Sequence, residues 1–340
     1  LEGIQLNASW AATFGEAAVC SEVLRELQLD GCRLRGPLPE LRLPALQALY
    51  LTLNHLKGGL QPLMGCTALR ELDLSDNQLT GGLEALSCCT ALRQLYLTLN
   101  QLTGSLEPLK ACTALQALDM SHNRLTGGLE PLSGCKELMG LDLYDNQLEG
   151  GLEPLRGCTA LQRLDLSSNQ MTGGLEPIRG CTALRELYFF LNQLTGDLAP
   201  LRDCTALQRL DLSHNQLSGG LGPLRECTAL QELYCFYNQL TGGLEPLQDC
   251  KGLQSLDLSN NNLTGGVEPL LGCKSLQTLN LLDNLLTRHP DQGRMRGLIA
   301  AATTKTTTIV AAATSLAGTL RAHLRDPRFT LGRARPRESV

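Results

Sequence analysis

Aromatic residues are scarce in this 340-residue chain: they make up 4% of it, with one tryptophan. That excludes the mixed aromatic and aliphatic core of an ordinary enzyme of this size, so the interior must be aliphatic. Catalytic signatures are missing as well. There is no Gly-x-Ser-x-Gly elbow, no glycine-rich phosphate loop with its lysine and no His-Glu-x-x-His pair. The body of the chain is short of positive charge. Residues 1–287 hold nineteen Lys and Arg against thirty-one Asp and Glu, whereas residues 288–340 hold ten against three. An acidic body argues against wrapping nucleic acid, because phosphates are neutralised by Lys and Arg on the binding face. No Cys-x-x-Cys occurs and the five histidines are scattered, so neither a metal nor a cofactor is expected. His122 and His214 share a repeat position but lie four repeats apart, about 20 Å at sheet spacing, too far for one ion.

What is abundant is leucine, and it recurs. Asn54, Asn77, Asn100, Asn123, Asn146, Asn169, Asn192, Asn215, Asn238, Asn261 and Asn284 are spaced 23 residues apart without a slip. Around each runs L-x-x-L-x-L-x-x-N-x-L-T-G-x-L-x-P-L-x-x-C-T-A, as in Leu69, Leu72, Leu74, Asn77, Leu79, Gly81, Leu83, Leu86 and Cys89. In Leu72-Asp73-Leu74 the side chains alternate faces, so the leucines point inward and Asp73 outward, which predicts one short parallel strand per repeat and about twelve in all. The asparagine sits where the chain leaves the strand, and its amide can donate and accept toward backbone groups of neighbouring coils. Gly81 and its equivalents suit a positive φ or a close approach between coils. Burial of one leucine is worth roughly 1.5–3 kcal/mol, which offsets backbone ordering only when repeats stack.

This pattern resembles the leucine-rich-repeat superfamily, over about Leu24 to Leu286. The resemblance implies an α/β fold: a right-handed solenoid, or horseshoe, with a parallel concave sheet and a mostly 3-10 or irregular convex side. The run Leu34-Arg35-Gly36-Pro37-Leu38-Pro39 is similar to plant-type repeats of receptor ectodomains. The body unit is one residue shorter than the usual plant form, and its Pro-Leu-x-x-Cys-Thr-Ala is closer to cysteine-containing or internalin-like units. Residues 1–23 read as an N-terminal cap, 24–287 as the repeat domain, and 288–340 as a C-terminal cap with a basic, partly disordered tail. An Ala/Thr-rich run from Leu298 to Leu320 approaches the length of a bilayer span, but Lys305 and seven threonines within it favour a capping helix instead.

Ten of the fourteen cysteines, Cys66 through Cys273 at steps of 23, form a column. Parallel Cβ vectors make bridging along it awkward even at about 5 Å between α-carbons, so buried free thiols are expected. Such a column favours the cytosol, with an extracellular or cell-surface site as the alternative. Two sequons, at Asn7 and Asn262, would matter only in a secreted chain, and Cys20 and Cys32 either staple the N-terminal cap or stay free.

Binding candidates come from the outward strand positions. Asp73, Asp119, Asp142, Asp165, Asp211 and Asp257 make one stripe, interrupted by Tyr50, Tyr96, Tyr188 and Tyr234. Exposed aromatics among charges mark interface anchors, which singles out Tyr188, Phe190, Tyr234, Phe236 and Tyr237, with Tyr144, Asp165 and Asp211 beside them. Phe189 takes a leucine slot and belongs to the core. The stripe of Glu84, Glu107, Glu130, Glu153, Glu176, Glu245 and Glu268 reads as a solvated convex flank. The functional expectation is a non-catalytic, monomeric protein-binding scaffold, contacting neither nucleic acid nor membrane. A ligand-sensing ectodomain from a larger receptor and a structural surface array are the alternatives.

Overall fold

The computed structural model describes residues 19–287. The expected C-terminal cap and tail, and all but the end of the N-terminal cap, lie outside them.

Twelve parallel strands of three residues form one sheet, each donated by one turn of the solenoid. Coils 1 to 6 contribute Glu26–Gln28, Ala48–Tyr50, Glu71–Asp73, Gln94–Tyr96, Ala117–Asp119 and Gly140–Asp142. Coils 7 to 12 contribute Arg163–Asp165, Glu186–Tyr188, Arg209–Asp211, Glu232–Tyr234, Ser255–Asp257 and Thr278–Asn280. Each strand pairs with the next coil's in unshifted register, so Leu72 faces Leu95 and Asp73 faces Tyr96. The leucine at each strand centre is at the floor of the core, and Leu49, Leu72, Leu95 and Leu118 are fully buried. Phe189 occupies a leucine position and is also fully buried, filling the core as expected.

A second sheet runs alongside. Segments such as Gln78–Gly81 and Gln101–Gly104 pair in parallel over eight coils, and Thr241–Gly242 continues with Asn262–Leu263. Gly81 ends its segment at φ 82°, a left-handed conformation open to glycine without a Cβ penalty. The chain then crosses the convex side in one short 3-10 turn per coil, such as Glu130–Gly134 and Glu153–Leu155. Glu-Pro opens most of these turns, placing the residue that lacks an N–H where helical donors have no partner anyway.

The asparagines bind coil to coil. Asn169 accepts the Leu148 N–H on Oδ1 at 2.9 Å, and its Nδ2 donates to Leu143 O at 2.9 Å in the preceding coil and to Leu166 O and Ser167 O of its own at 3.1 Å. The same set recurs from Asn54, which reaches Leu34 N and Leu29 O, to Asn284, which reaches Leu263 N and Leu258 O. To present the amide this way the preceding residue must turn left-handed, and it does in every coil: Leu53, Asp76, Leu99, His122, Asp145, Ser168, Leu191, His214, Tyr237, Asn260 and Asp283 all have φ between 52° and 55°. The sequence reading assigned positive φ to the glycines alone. Aspartate, asparagine and histidine at this second site tolerate it, whereas leucine and tyrosine ordinarily avoid it and are held there because the amide behind them over-determines the turn.

The thirteen cysteines from Cys32 to Cys273 are free. From Cys89 to Cys250 each column thiol lies against the carbonyl of the cysteine one coil earlier, as for Cys89 to Cys66 O at 3.5 Å and Cys204 to Cys181 O at 3.6 Å, while Cys66 and Cys273 lean on Leu41 O and Leu247 O. The thiols are therefore small core fillers that also lean on a backbone acceptor. Burial pushes Cys112, Cys181 and Cys204 up to about 11, each helped by a neighbouring cysteine, so the thiolate is disfavoured at neutral pH.

Two outcomes are expected. Replacing Asn169 by Ala strands the Leu148 N–H and takes one of two donors from each of the Leu143, Leu166 and Ser167 carbonyls, and should cost roughly 1–3 kcal/mol in chemical denaturation; an unchanged midpoint would mean that water satisfies that N–H. Native protein should label slowly with a thiol probe at the ten column cysteines, and intact-mass measurement should find them reduced. Rapid labelling of several of them, or a mass deficit from bridges, would contradict the column's burial.

Candidate binding face

The concave sheet carries the residues singled out by sequence. Its central outward row reads Asp165, Tyr188, Asp211, Tyr234 and Asp257 in directly paired strands of coils 7 to 11. Tyr144, Phe190 and Phe236 stand one outward position further along coils 6, 8 and 10, and Tyr237 follows at the left-handed site, 52% exposed.

The aspartates are not presented as the reading of an outward acidic stripe implies. Asp165 is 2% exposed, and its Oδ1 accepts the Ser167 N–H at 3.0 Å; Asp211 accepts the Ser213 N–H at 3.0 Å and the Ser213 hydroxyl. Asp119, Asp142 and Asp257 do the same for the residue two ahead. Strand pairing leaves that N–H without a carbonyl, and the short carboxylate supplies one. Asp165 and Asp211 are therefore corrected from partner contacts to parts of the sheet. Tyrosine cannot make this bond, and its coil borrows. Ser167 Oγ accepts the Phe190 N–H at 3.2 Å, and Asp30 accepts the Thr52 N–H at 2.8 Å, each from one coil earlier.

A charge network that sequence spacing did not reveal holds the middle of the face. Arg163 reaches Asp142 at 3.0 Å, Asp165 at 3.5 Å and Glu186 at 2.5 Å, and Glu186 also holds Arg209 at 2.7 Å. The Tyr188 ring covers the Arg163 guanidinium, 5.0 Å from its centroid. Nearly buried ion pairs of this kind owe little net stability to their attraction but fix side chains firmly. The signal available in the sequence was Arg163 and Arg209, alternating with Glu186 and Glu232 at one strand position, the column next to the aspartates.

The aromatic side chains gather into two groups. Tyr144 meets His122 edge-on at 4.8 Å and leans over coil 7 to Phe190 at 5.7 Å. His214 stacks on Tyr237 at 4.6 Å and meets Phe236 edge-on at 5.1 Å. The two histidines are thus packing partners of the aromatic coil that follows each of them. His122 also touches the Asp145 carboxylate at 2.8 Å, and burial holds His214 below its usual pKa. Among the described residues no His, Cys, Asp and Glu cluster could hold a metal ion, and no helix is long and apolar enough to cross a membrane. The glutamates of the convex flank stand in the 3-10 turns, where Glu153 pairs with Arg156 and Glu176 with Arg179 in solvent.

A fold of this geometry is a leucine-rich-repeat horseshoe, and family comparison agrees. A model described as leucine-rich repeats in two copies matches residues 67–111, 182–226, 205–249 and 228–265, and two further leucine-rich-repeat models match 114–135 and 157–174. The chain is a leucine-rich-repeat protein. Among solved structures it is similar to the ectodomain of the Arabidopsis receptor kinase HAESA in complex with an N-terminally extended IDA peptide hormone, at 29% identity and TM-score 0.71, covering 77% of this chain and 50% of that one. It is also similar to the plant peptide hormone receptor RGFR1 in complex with RGF2, at 27% identity and TM-score 0.63, covering 77% and 52%. An internalin, inlF, from Listeria monocytogenes matches at 25% identity and TM-score 0.62, covering 85% of this chain and 88% of that one. The chain spans about half the length of the plant receptor chains it matches. No curated protein matches it.

The buried carboxyls predict a pH dependence. Burial, and then the neighbouring Asp142, pushes Asp119 up to about 7, and burial pushes Asp211 up to about 6. A carboxyl raised above its unfolded value binds its proton more tightly in the folded state, so stability is fully present below about pH 4 for these groups and is lost as pH rises toward 7. The denaturation midpoint should fall between pH 4.5 and pH 7.5, titrated in steps of about half a unit, and Asp119→Asn, which keeps the acceptor for Ser121, should flatten that slope. An identical slope in the variant would place an ionised, unstrained carboxylate at Asp119.

Proposed function

We propose that the chain is a non-catalytic protein-binding module whose concave face engages its partner, centred on Tyr188, Phe190, Tyr234, Phe236 and Tyr237. The observation that carries this reading is a run of partly exposed aromatics on consecutive even coils, set beside side chains already immobilised by the Arg163 and Arg209 ion pairs. Aromatic groups held in place lose little entropy on binding and commonly dominate interface energy. The net acidity of residues 1–287, nineteen Lys and Arg against thirty-one Asp and Glu, favours a partner with apolar surface rimmed by Lys or Arg.

A second reading, that the chain is a ligand-sensing ectodomain or part of a larger receptor, is favoured by the plant receptor structures, which carry peptide hormones and of which it spans half. Those neighbours lend support to an extracellular site and none to the cytosolic expectation drawn from the thiols. A monomeric state and the partner's identity belong to the same proposal.

Affinity purification with the full chain as bait supplies the partner, and quantitative binding then tests the face. Tyr188→Ala with Tyr234→Ala should weaken binding by about 2 kcal/mol or more, with little change in denaturation midpoint. Glu130→Ala with Glu153→Ala, on the flank, should leave binding intact. The opposite pattern would move the interface to the convex side.

A further inference from the structure

The outward residues of the concave sheet alternate coil by coil. Odd coils 3 to 11 present aspartate, then serine, then a polar residue at the left-handed site, as in Asp73, Ser75 and Asp76 or Asp211, Ser213 and His214. Coils 2, 4, 8 and 10 put tyrosine in the aspartate position and leucine or tyrosine at the left-handed site: Tyr50 with Leu53, Tyr96 with Leu99, Tyr188 with Leu191, Tyr234 with Tyr237. Coil 6 keeps Asp142 and offers Tyr144 one outward position on. Direct pairing of Tyr50 with Asp73, Asp73 with Tyr96, Tyr188 with Asp211 and Asp211 with Tyr234 makes these ridges and furrows real features of one surface. Leu53 is 53% exposed and Leu99 45%, in a backbone region that disfavours leucine and suits asparagine or glycine. Apolar side chains kept exposed at strained positions point to something that covers them.

The spacing selects the covering segment. Neighbouring strands lie about 4.8 Å apart, so ridges recur every ~9.6 Å, and a ligand lying inside the curve of the horseshoe traverses slightly less per ridge. A β-strand ligand returns same-facing side chains every ~6.7 Å and fits neither one coil nor two. An α-helix brings its stripe back after seven residues, ~10.5 Å, already too long and gaining roughly 4 Å of error over four ridges. Polyproline II has three residues per turn at ~3.1 Å each, and so repeats every ~9.3 Å.

From this match we infer that the partner segment is a polyproline II stretch with an apolar residue at every third position and Lys or Arg between, crossing the strands with its apolar edge on the tyrosine ridges. The inference rests on the concave-face reading above. Aromatic ridges suit this ligand because a polyproline II segment is ordered before it binds and packs ring against ring. The partly exposed Asp73 and Asp257 lie in furrows where its cationic side chains fall. The lip leucines Leu53 and Leu99 extend the first two ridges sideways, as Leu191 and Tyr237 extend the other two.

The test uses the full chain and labelled synthetic peptides in fluorescence anisotropy: five repeats of Pro-Pro-Lys, the same residues with the lysines grouped, five repeats of Pro-Pro-Glu, and an amphipathic Leu/Lys helix of equal length. The Pro-Pro-Lys repeat should bind at least about tenfold tighter than the grouped and acidic peptides and tighter than the helix. That advantage should shrink by about tenfold in Tyr188→Ala with Tyr234→Ala. Leu191→Ser with Tyr237→Ser is a second pair outside the core, should the first perturb folding, and thermal unfolding of each variant checks the fold. Equal binding by the grouped peptide, tighter binding by the helix, or no binding by the Pro-Pro-Lys repeat overturns the inference. If the helix binds and the tyrosine pair abolishes it, the concave-face reading survives and the polyproline inference fails. If binding ignores the tyrosine pair and responds to Glu130→Ala with Glu153→Ala, both fail.

Discussion

One side-chain amide per coil sustains the architecture. Each ladder asparagine closes four hydrogen bonds, two of them to the preceding coil, at a point where the chain leaves one sheet and enters the next. Backbone polar groups buried at that corner would otherwise be orphaned, at a cost that the leucine core could not absorb repeatedly. No other side chain of that length both donates and accepts so closely to its own backbone. The exact period of 23 residues follows, since a slip would carry the amide away from the carbonyl one coil back.

The amide imposes its own demand. It can face inward only if the residue before it turns left-handed, and the chain accepts that strain at eleven consecutive ladder positions. Asparagine, aspartate and serine take such a turn cheaply and leucine does not. The presence of leucine at three of these sites, always in coils whose strand carries tyrosine, therefore has no explanation in the solenoid's own stability. The proposed concave-face binding supplies one. Hydrogen-bond supply shapes the same alternation, because an aromatic coil depends on the carboxyl or hydroxyl of its neighbour to satisfy a strand-end N–H.

Preorganisation links this to recognition. Arg163 is tied to three carboxylates and capped by Tyr188, and Glu186 passes the tie to Arg209. The charged groups thus spend their attraction on one another and on holding rings upright, which orders the aromatic surface in advance of the partner proposed for it. Burying the carboxyls that support it raises Asp119 and Asp211, which is the thermodynamic cost of building a flat, aromatic-bearing face from a parallel sheet.

The repeat, the concave parallel sheet, the strand under Leu72-Asp73-Leu74, the inward Phe189 and the thiol column were all legible in the linear sequence, because each depends on residues within one coil and on a period that can be counted, whereas the second sheet beside it was not foreseen. The outward aromatics were legible as residue types at their strand positions. What the tertiary structure alone decided lies between coils. Asp165 points outward by strand parity yet is buried, since the residues that cover it come from neighbouring coils and the N–H it satisfies is unpaired only after the sheet forms. Arg163 meets Asp142 and Glu186 from coils on either side, and Tyr144 reaches Phe190 across a coil whose serines are small enough to lean over. A count along the chain fixes which face a side chain takes. Which neighbour it then touches depends on the lateral register of separate coils, a relation between residues 21 to 46 apart that only packing sets.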